Sequence, residues 1–141
     1  MDEYKIVSQI NCFQNQIFDL QISIDEKNRK IQDLESFRCK YNSMSSDFDN
    51  IISFRRQAIL NVQINASQCK ILKRYQSKME SVLTGNKKEN IVWSFMEGNN
   101  AINKMIDQLE EEIRQAYASI HSIENSIWIL KEQLSASEGN G

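Results

Sequence analysis

The sequence predicts an all-α fold, an elongated antiparallel helical hairpin or a three-helix coiled-coil-like bundle, on three observations. The 141 residues contain no proline, and two of the four glycines, Gly139 and Gly141, fall in the last three positions. Ile, Leu, Gln, Lys and Glu are abundant, a bias toward long helices. Apolar residues recur at alternating steps of four and three along most of the chain, which keeps them on one stripe of a helix.

This length suits one domain, expected over 1–141 with helices over about 3–42, 47–84 and 88–136 and a disordered tail at 137–141. The first helix rests on Ile6, Ile10, Phe13, Ile17, Leu20, Ile24, Ile31 and Leu34, with Tyr41 completing the row. Lys27 and Arg38 occupy the two remaining seam positions. With Ile10 at heptad position a, Ile17, Ile24 and Ile31 also take a, while Phe13, Leu20 and Leu34 take d. β-Branched a and bulky d side chains suit knobs-into-holes packing. A break is expected at Asn42-Ser43-Met44-Ser45-Ser46-Asp47, a cluster of turn formers in which Ser46 and Asp49 fit a capping box.

The second helix carries Phe48, Ile52, Ile59, Val62, Ala66, Cys69, Leu72, Met79 and Leu83. Its steps of three at 66, 69 and 72 make the seam drift, as a stammer does. Ile51, Phe54, Leu60, Ile64 and Ile71 widen the apolar face, which places this helix between two neighbours. Gly85 is expected in the left-handed position of a Schellman-type cap. The third helix has the most regular row, Ile102, Ile106, Leu109, Ile113, Ala116, Ile120, Ile123, Ile127, Leu130 and Leu134. Gly98-Asn99-Asn100 would loosen its start. Short connections imply an up-down-up bundle; the alternative is a hairpin of helices 2 and 3, with helix 1 detached to pair with another chain.

The net charge of −2 argues against a surface built throughout for nucleic acid. From Asn50 to Met79 there are six basic residues and no acid, whereas the third helix holds Asp107, Glu110, Glu111, Glu112, Glu124 and Glu132. The basic helix is therefore expected to pair with the acidic one. Lys70, Arg74 and Lys78 share a face near Tyr75, a pattern that also suits a nucleic-acid strand, but a solvated face answering those acids is the favoured reading. No apolar run is long enough for a membrane span. The acidic start, Met1-Asp2-Glu3-Tyr4-Lys5, is unlike a Sec signal peptide, so a cytoplasmic protein is expected.

Catalytic chemistry has little to rest on. Cys12, Cys39, Cys69 and the single His121 make neither a disulfide framework nor a zinc site. Glu110, Glu111 and Glu112 point about 100° apart on a helix and cannot converge on one atom. His121 has Glu124 one turn away and no nucleophile to activate. No enzyme activity, cofactor or metal is expected. The binding candidates are apolar instead. Trp93, Phe95 and Met96, beside Ile91 and Val92, form the densest apolar cluster, expected at the bundle tip either as a cap on the core or as anchors for a partner. The helix 1 seam (Ile10, Phe13, Ile17, Leu20, Ile24) and Trp128 are the other surfaces offered to a helical protein or to a second copy.

This organisation resembles the small helical companion proteins encoded beside LXG toxins in type VII secretion systems, relatives of the WXG-type secreted helical hairpins. The likeness lies in size, the N-terminal heptad helix, the helix end from Met79 to Gly85, the apolar stretch with Trp93 before Gly98, and the regular helix from Ile102 to Leu134. The Trp-x-Gly turn is missing, since Ser94 and Phe95 follow Trp93, and so is the Tyr-x-x-x-Asp/Glu export signal, since His121 stands four residues after Tyr117. The resemblance implies a chaperone or targeting partner for the helical N-terminal domain of an LXG toxin, or for another small companion. Such a protein either stays in the cytoplasm or leaves with a partner that supplies the signal.

Overall fold

The computed structural model of the chain describes residues 2–65 and 70–139. Helix α1 spans Glu3–Asn65, α2 Lys70–Thr84 and α3 Asn86–Gly139, with no strand among the described residues. The chain is all-α. Its helices pair antiparallel within each of two compact units, Met1–Asp33 with Met105–Gly141 (unit 1) and Leu34–Lys104 (unit 2).

Unit 1 joins the start of α1 to the end of α3. Ile6 and Ile10 pack with Ile127 and Leu130, and Ile24, further along α1, packs with the earlier residues Ala116 and Ile120. The contacts advance along α1 as they retreat along α3, which defines the antiparallel register. Every apolar seam residue expected from Ile6 to Leu34 and from Ile102 to Leu134 is buried or half-buried. Full burial of an Ile or Leu side chain is worth about 1.5–3 kcal/mol, so these rows supply the main stabilisation. Lys27 and Arg38, the two interruptions in the α1 row, also point inward. In unit 1 Lys27 Nζ lies 3.8 Å from the Glu112 carboxylate. In unit 2 Arg38 donates to Asn103 Oδ1 at 2.9 Å. Polar side chains at single seam positions specify register more than they stabilise.

Unit 2 has a different core. Phe37 stacks on Tyr41 (5.9 Å between ring centroids), Tyr41 meets Phe95 edge-on at 5.2 Å, and Phe48 lies 6.2 Å from Phe95. Farther on, α1 runs antiparallel to α2: Gln76 Nε2 donates to the Ile59 carbonyl at 3.1 Å, and Arg56 pairs with Glu80 at 3.5 Å.

Several expectations are corrected here. The break at 42–47 is absent, because α1 continues through it. The heptad explains why: Ser45, Ile52 and Ile59 continue position a from Arg38, Tyr41 and Phe48 take d, and all five of these after Arg38 are half-buried. Serine and asparagine cost only a few tenths of a kcal/mol each in a helix, less than the burial gained on either side. Helices 2 and 3 do not form a separate internal hairpin with helix 1 left over. Instead, the start of α1 lies on the end of α3, and the seam of Ile10, Phe13, Ile17, Leu20 and Ile24 is occupied within the chain. The drifting seam expected at Val62, Ala66, Cys69 and Leu72 falls outside the described side chains.

Gly85 is not left-handed; no described glycine takes a positive φ. It is the single residue joining α2 to α3, and its carbonyl already accepts the Glu89 amide at 3.2 Å. A Cβ here would collide with the Ser81 carbonyl oxygen, so close approach, not handedness, calls for glycine. Gly98-Asn99-Asn100 does not interrupt α3, and the helix continues to Gly139 through most of the expected tail.

Candidate helix-binding face

With the seam filled, the question is what α3 leaves outside. Its seam continues upstream of Ile102 through Lys88, Val92, Phe95 and Asn99, all half-buried. The residues one position later form a second row, because each step rotates by about 100°. This row reads Glu89, Trp93, Met96, Asn100, Asn103, Asp107, Glu110, Arg114, Tyr117, His121, Glu124, Trp128 and Lys131, and apart from Asn103 it is exposed throughout. Both tryptophans of the chain stand in it, 63% and 64% exposed. Aromatic residues and methionine are enriched where proteins bind, and the row holds Trp93 and Met96 in unit 2 and Tyr117 and Trp128 in unit 1.

The sequence-predicted site residues separate accordingly. Trp93 and Met96 are exposed on the unit 2 part of the row, and Trp128 on its unit 1 part. Phe95 is half-buried, with its ring against Tyr41 and Phe48. The stretch from Ile91 to Met96 lies inside α3, not in a turn. Tyr117, which pattern reading passed over, belongs to the row at 57% exposure. The steps of four and three that mark the seam mark this row too, displaced by one residue. That signal was available.

In unit 1 the same flank extends onto α1. Tyr4, Val7 and Phe18 also follow a seam position by one, and in antiparallel helices such rows lie on the same side. All three are exposed, Tyr4 by 80%, so with Tyr117 and Trp128 they make an aromatic flank bordered by Asp25, Glu110 and Glu124. The triplet Glu110 to Glu112 does diverge: Glu112 turns toward Lys27, Glu111 pairs with Arg114, and Glu110 is exposed. His121 is exposed on the row.

Charge does not follow the expected pairing of a basic helix with an acidic one. The acids from Asp107 to Glu132 belong to unit 1, while the basic residues from Arg55 to Lys78 belong to unit 2. Unit 1 holds six Lys and Arg against thirteen Asp and Glu; unit 2 holds eleven against six. Among the described residues Arg56 alone of that basic set has an ionic partner, Glu80. Lys70, Lys73, Arg74 and Lys78 on α2 are exposed, and among the described residues none of them forms an ion pair. Cys12 and Cys39 are exposed free thiols, and Cys69 lies outside the described residues. No described helix is long and apolar enough to cross a membrane. Set against known proteins, the chain matches no family model, no curated protein and no solved structure.

Proposed function

We propose that this chain is a non-catalytic helical binding protein, a chaperone or targeting partner that pairs with the helical N-terminal domain of an LXG toxin in type VII secretion. The observation that carries the reading is the exposed row beside the α3 seam. A helix whose seam is already covered still presents Trp93 and Met96 one turn apart in unit 2, and Tyr117 and Trp128 three turns apart in unit 1, apolar anchors of the kind an amphipathic partner helix reads. The client docks on these exposed residues within a unit and supplies the toxin activity; the chain supplies the helical surface. The secretion-system identity rests on the resemblance of the helix pattern, and the helix-binding role rests on the row.

The test is co-expression with neighbouring genes followed by affinity capture. Recovery of a helical partner in stoichiometric amount is expected. The double variant Trp93→Ala/Trp128→Ala should weaken that binding by about thirtyfold or more, since even one buried tryptophan anchor contributes about 2 kcal/mol or more. Helical content should not change, because both side chains are exposed. A chain that recovers no helical protein, or a double variant that binds as tightly as the wild type, would refute the reading. A second reading, a self-associating coiled-coil scaffold or adaptor, is favoured by the division of charge between the units.

A further inference from the structure

The outer face of α2 is the most conspicuous surface that the α3 row leaves unexplained. Gln76 and Leu83 turn inward, while Ile71, Tyr75, Lys78 and Val82 recur at steps of four, three and four on the exposed side. Ile71 is 78% exposed. Lys70 and Arg74 stand one residue before Ile71 and Tyr75 and are exposed as well. An apolar strip edged with unpaired cations fits a partner that is both apolar and acidic.

One such partner is this chain. The unit 1 flank carries Tyr117 and Trp128 for the apolar strip and Asp107, Glu110 and Glu124 for the cations, all exposed. Of the two cations in that part of the row, Arg114 is already paired with Glu111, and Lys131 stands at its far end, beyond Trp128. The excess of acids in unit 1 and of bases in unit 2 extends the match beyond those residues. We propose that a second copy of this chain docks its acidic, aromatic unit 1 flank on the basic outer face of α2. Two-fold symmetry then forms the contact twice, which is how most homodimers close. The contact needs no client. Because it covers Trp128, a client docked at Trp128 would compete with it, so client binding there and self-association exclude each other.

Sedimentation equilibrium on the full chain alone, without any client, tests this. A dimer is expected at low salt, weakening by about tenfold or more between about 50 mM and about 500 mM NaCl as screening grows. Lys70→Glu/Arg74→Glu/Lys78→Glu should be monomeric under the same conditions. So should Asp107→Lys/Glu110→Lys/Glu124→Lys. Both variants alter exposed residues, and circular dichroism checks that each keeps its helices. Mixing the two should restore a dimer, since each then supplies the face the other has lost. A wild-type chain that stays monomeric overturns the proposal, as does a dimer indifferent to salt and to both reversals, or a mixture that stays monomeric. A monomer that instead captures single-stranded DNA, or vesicles of anionic lipid, through Lys70, Arg74 and Lys78 would give the face to that ligand and overturn it equally.

Discussion

Tyr41 and Gly98 show how a single contact can depend on two residues far apart in sequence. The Tyr41 hydroxyl donates to the Ser94 carbonyl at 3.0 Å, reaching into the backbone of α3. It can do so because residue 98 lacks a side chain: a Cβ there would collide with the hydroxyl oxygen and stand 2.6 Å from Cζ of the ring. Glycine inside a helix costs about 1 kcal/mol relative to alanine, so the fold accepts a weaker helix for a closer approach. Gly98→Ala should therefore destabilise by about 1–3 kcal/mol, as forced overpacking does, although alanine is the better helix former. In a Tyr41→Ala background the obstruction is gone, and the same change should be neutral or stabilising. Urea unfolding of the four proteins of this cycle measures the sign change; a Gly98→Ala effect that keeps its sign in both backgrounds would show that Tyr41 is not the reason for the glycine. Other polar groups mark the same stretch. Asn99 sits at a seam position with its buried Oδ1 lacking a hydrogen-bond partner, and Arg38 reaches Asn103 one turn on.

At the scale of elements, α1 is where local chemistry and long-range pattern conflict, and the pattern prevails. Ser45→Pro distinguishes the two. In a turn between helices a proline at 45 would be tolerated; inside a continuous helix it removes a backbone hydrogen bond and should cost about 3 kcal/mol or more. We expect the larger loss, read as a fall in helical signal and melting temperature by circular dichroism. A substitution without effect on either would put the break back at 42–47. The same contest explains what was legible in the sequence. The rows from Ile6 to Leu34 and from Ile102 to Leu134 could be read because each apolar side chain reports the same face at every turn. The continuation through Ser45, Phe48, Ile52 and Ile59 was equally periodic, yet the weight given to four serines and asparagines hid it. Which helix each row faces was not legible, because an amphipathic stripe states that it is covered and not by what. Reading α3 as the partner of the basic stretch followed charge, and exposed ion pairs at about 0.2–1 kcal/mol each are too weak to outvote an Ile seam. Of the candidate anchors, Trp93, Met96 and Trp128 were readable as apolar residues beside a seam, whereas Phe95 differs from them by only one position and turns inward.

For the molecule as a whole, the two units are built with unequal cores, and their stabilities should differ. Among the residues whose burial is described, unit 1 holds nine of the eleven buried apolar ones, Ile6, Ile10, Ile24, Ile31, Ile106, Ala116, Ile120, Ile127 and Leu130. In unit 2 the described side chains bury only Leu83 and Ile102 of this class, and the aromatic cluster around Phe95 is half-buried. Local opening free energy follows the density of buried apolar contacts. Hydrogen exchange should accordingly find amides in 6–31 and 106–130 protected up to the global unfolding limit, and amides in 45–60 and 74–96 exchanging through smaller openings. Ile24→Ala, a cavity in the denser core, should cost about 2–5 kcal/mol and lower protection in unit 1. Phe95→Ala should release unit 2 while leaving amides around Ile24 and Ile120 protected. Uniform protection across both units, or loss of unit 1 protection in Phe95→Ala, would mean that the chain opens as one cooperative body. The difference bears on binding, because Trp93 and Met96 project from the softer unit and Tyr117 and Trp128 from the firmer one. A client helix docked at Trp128 meets preorganised contacts, whereas one docked at Trp93 must order its site. Added protection on client binding at Trp93 should therefore appear in 88–96, within a stretch where the free chain exchanges through smaller openings.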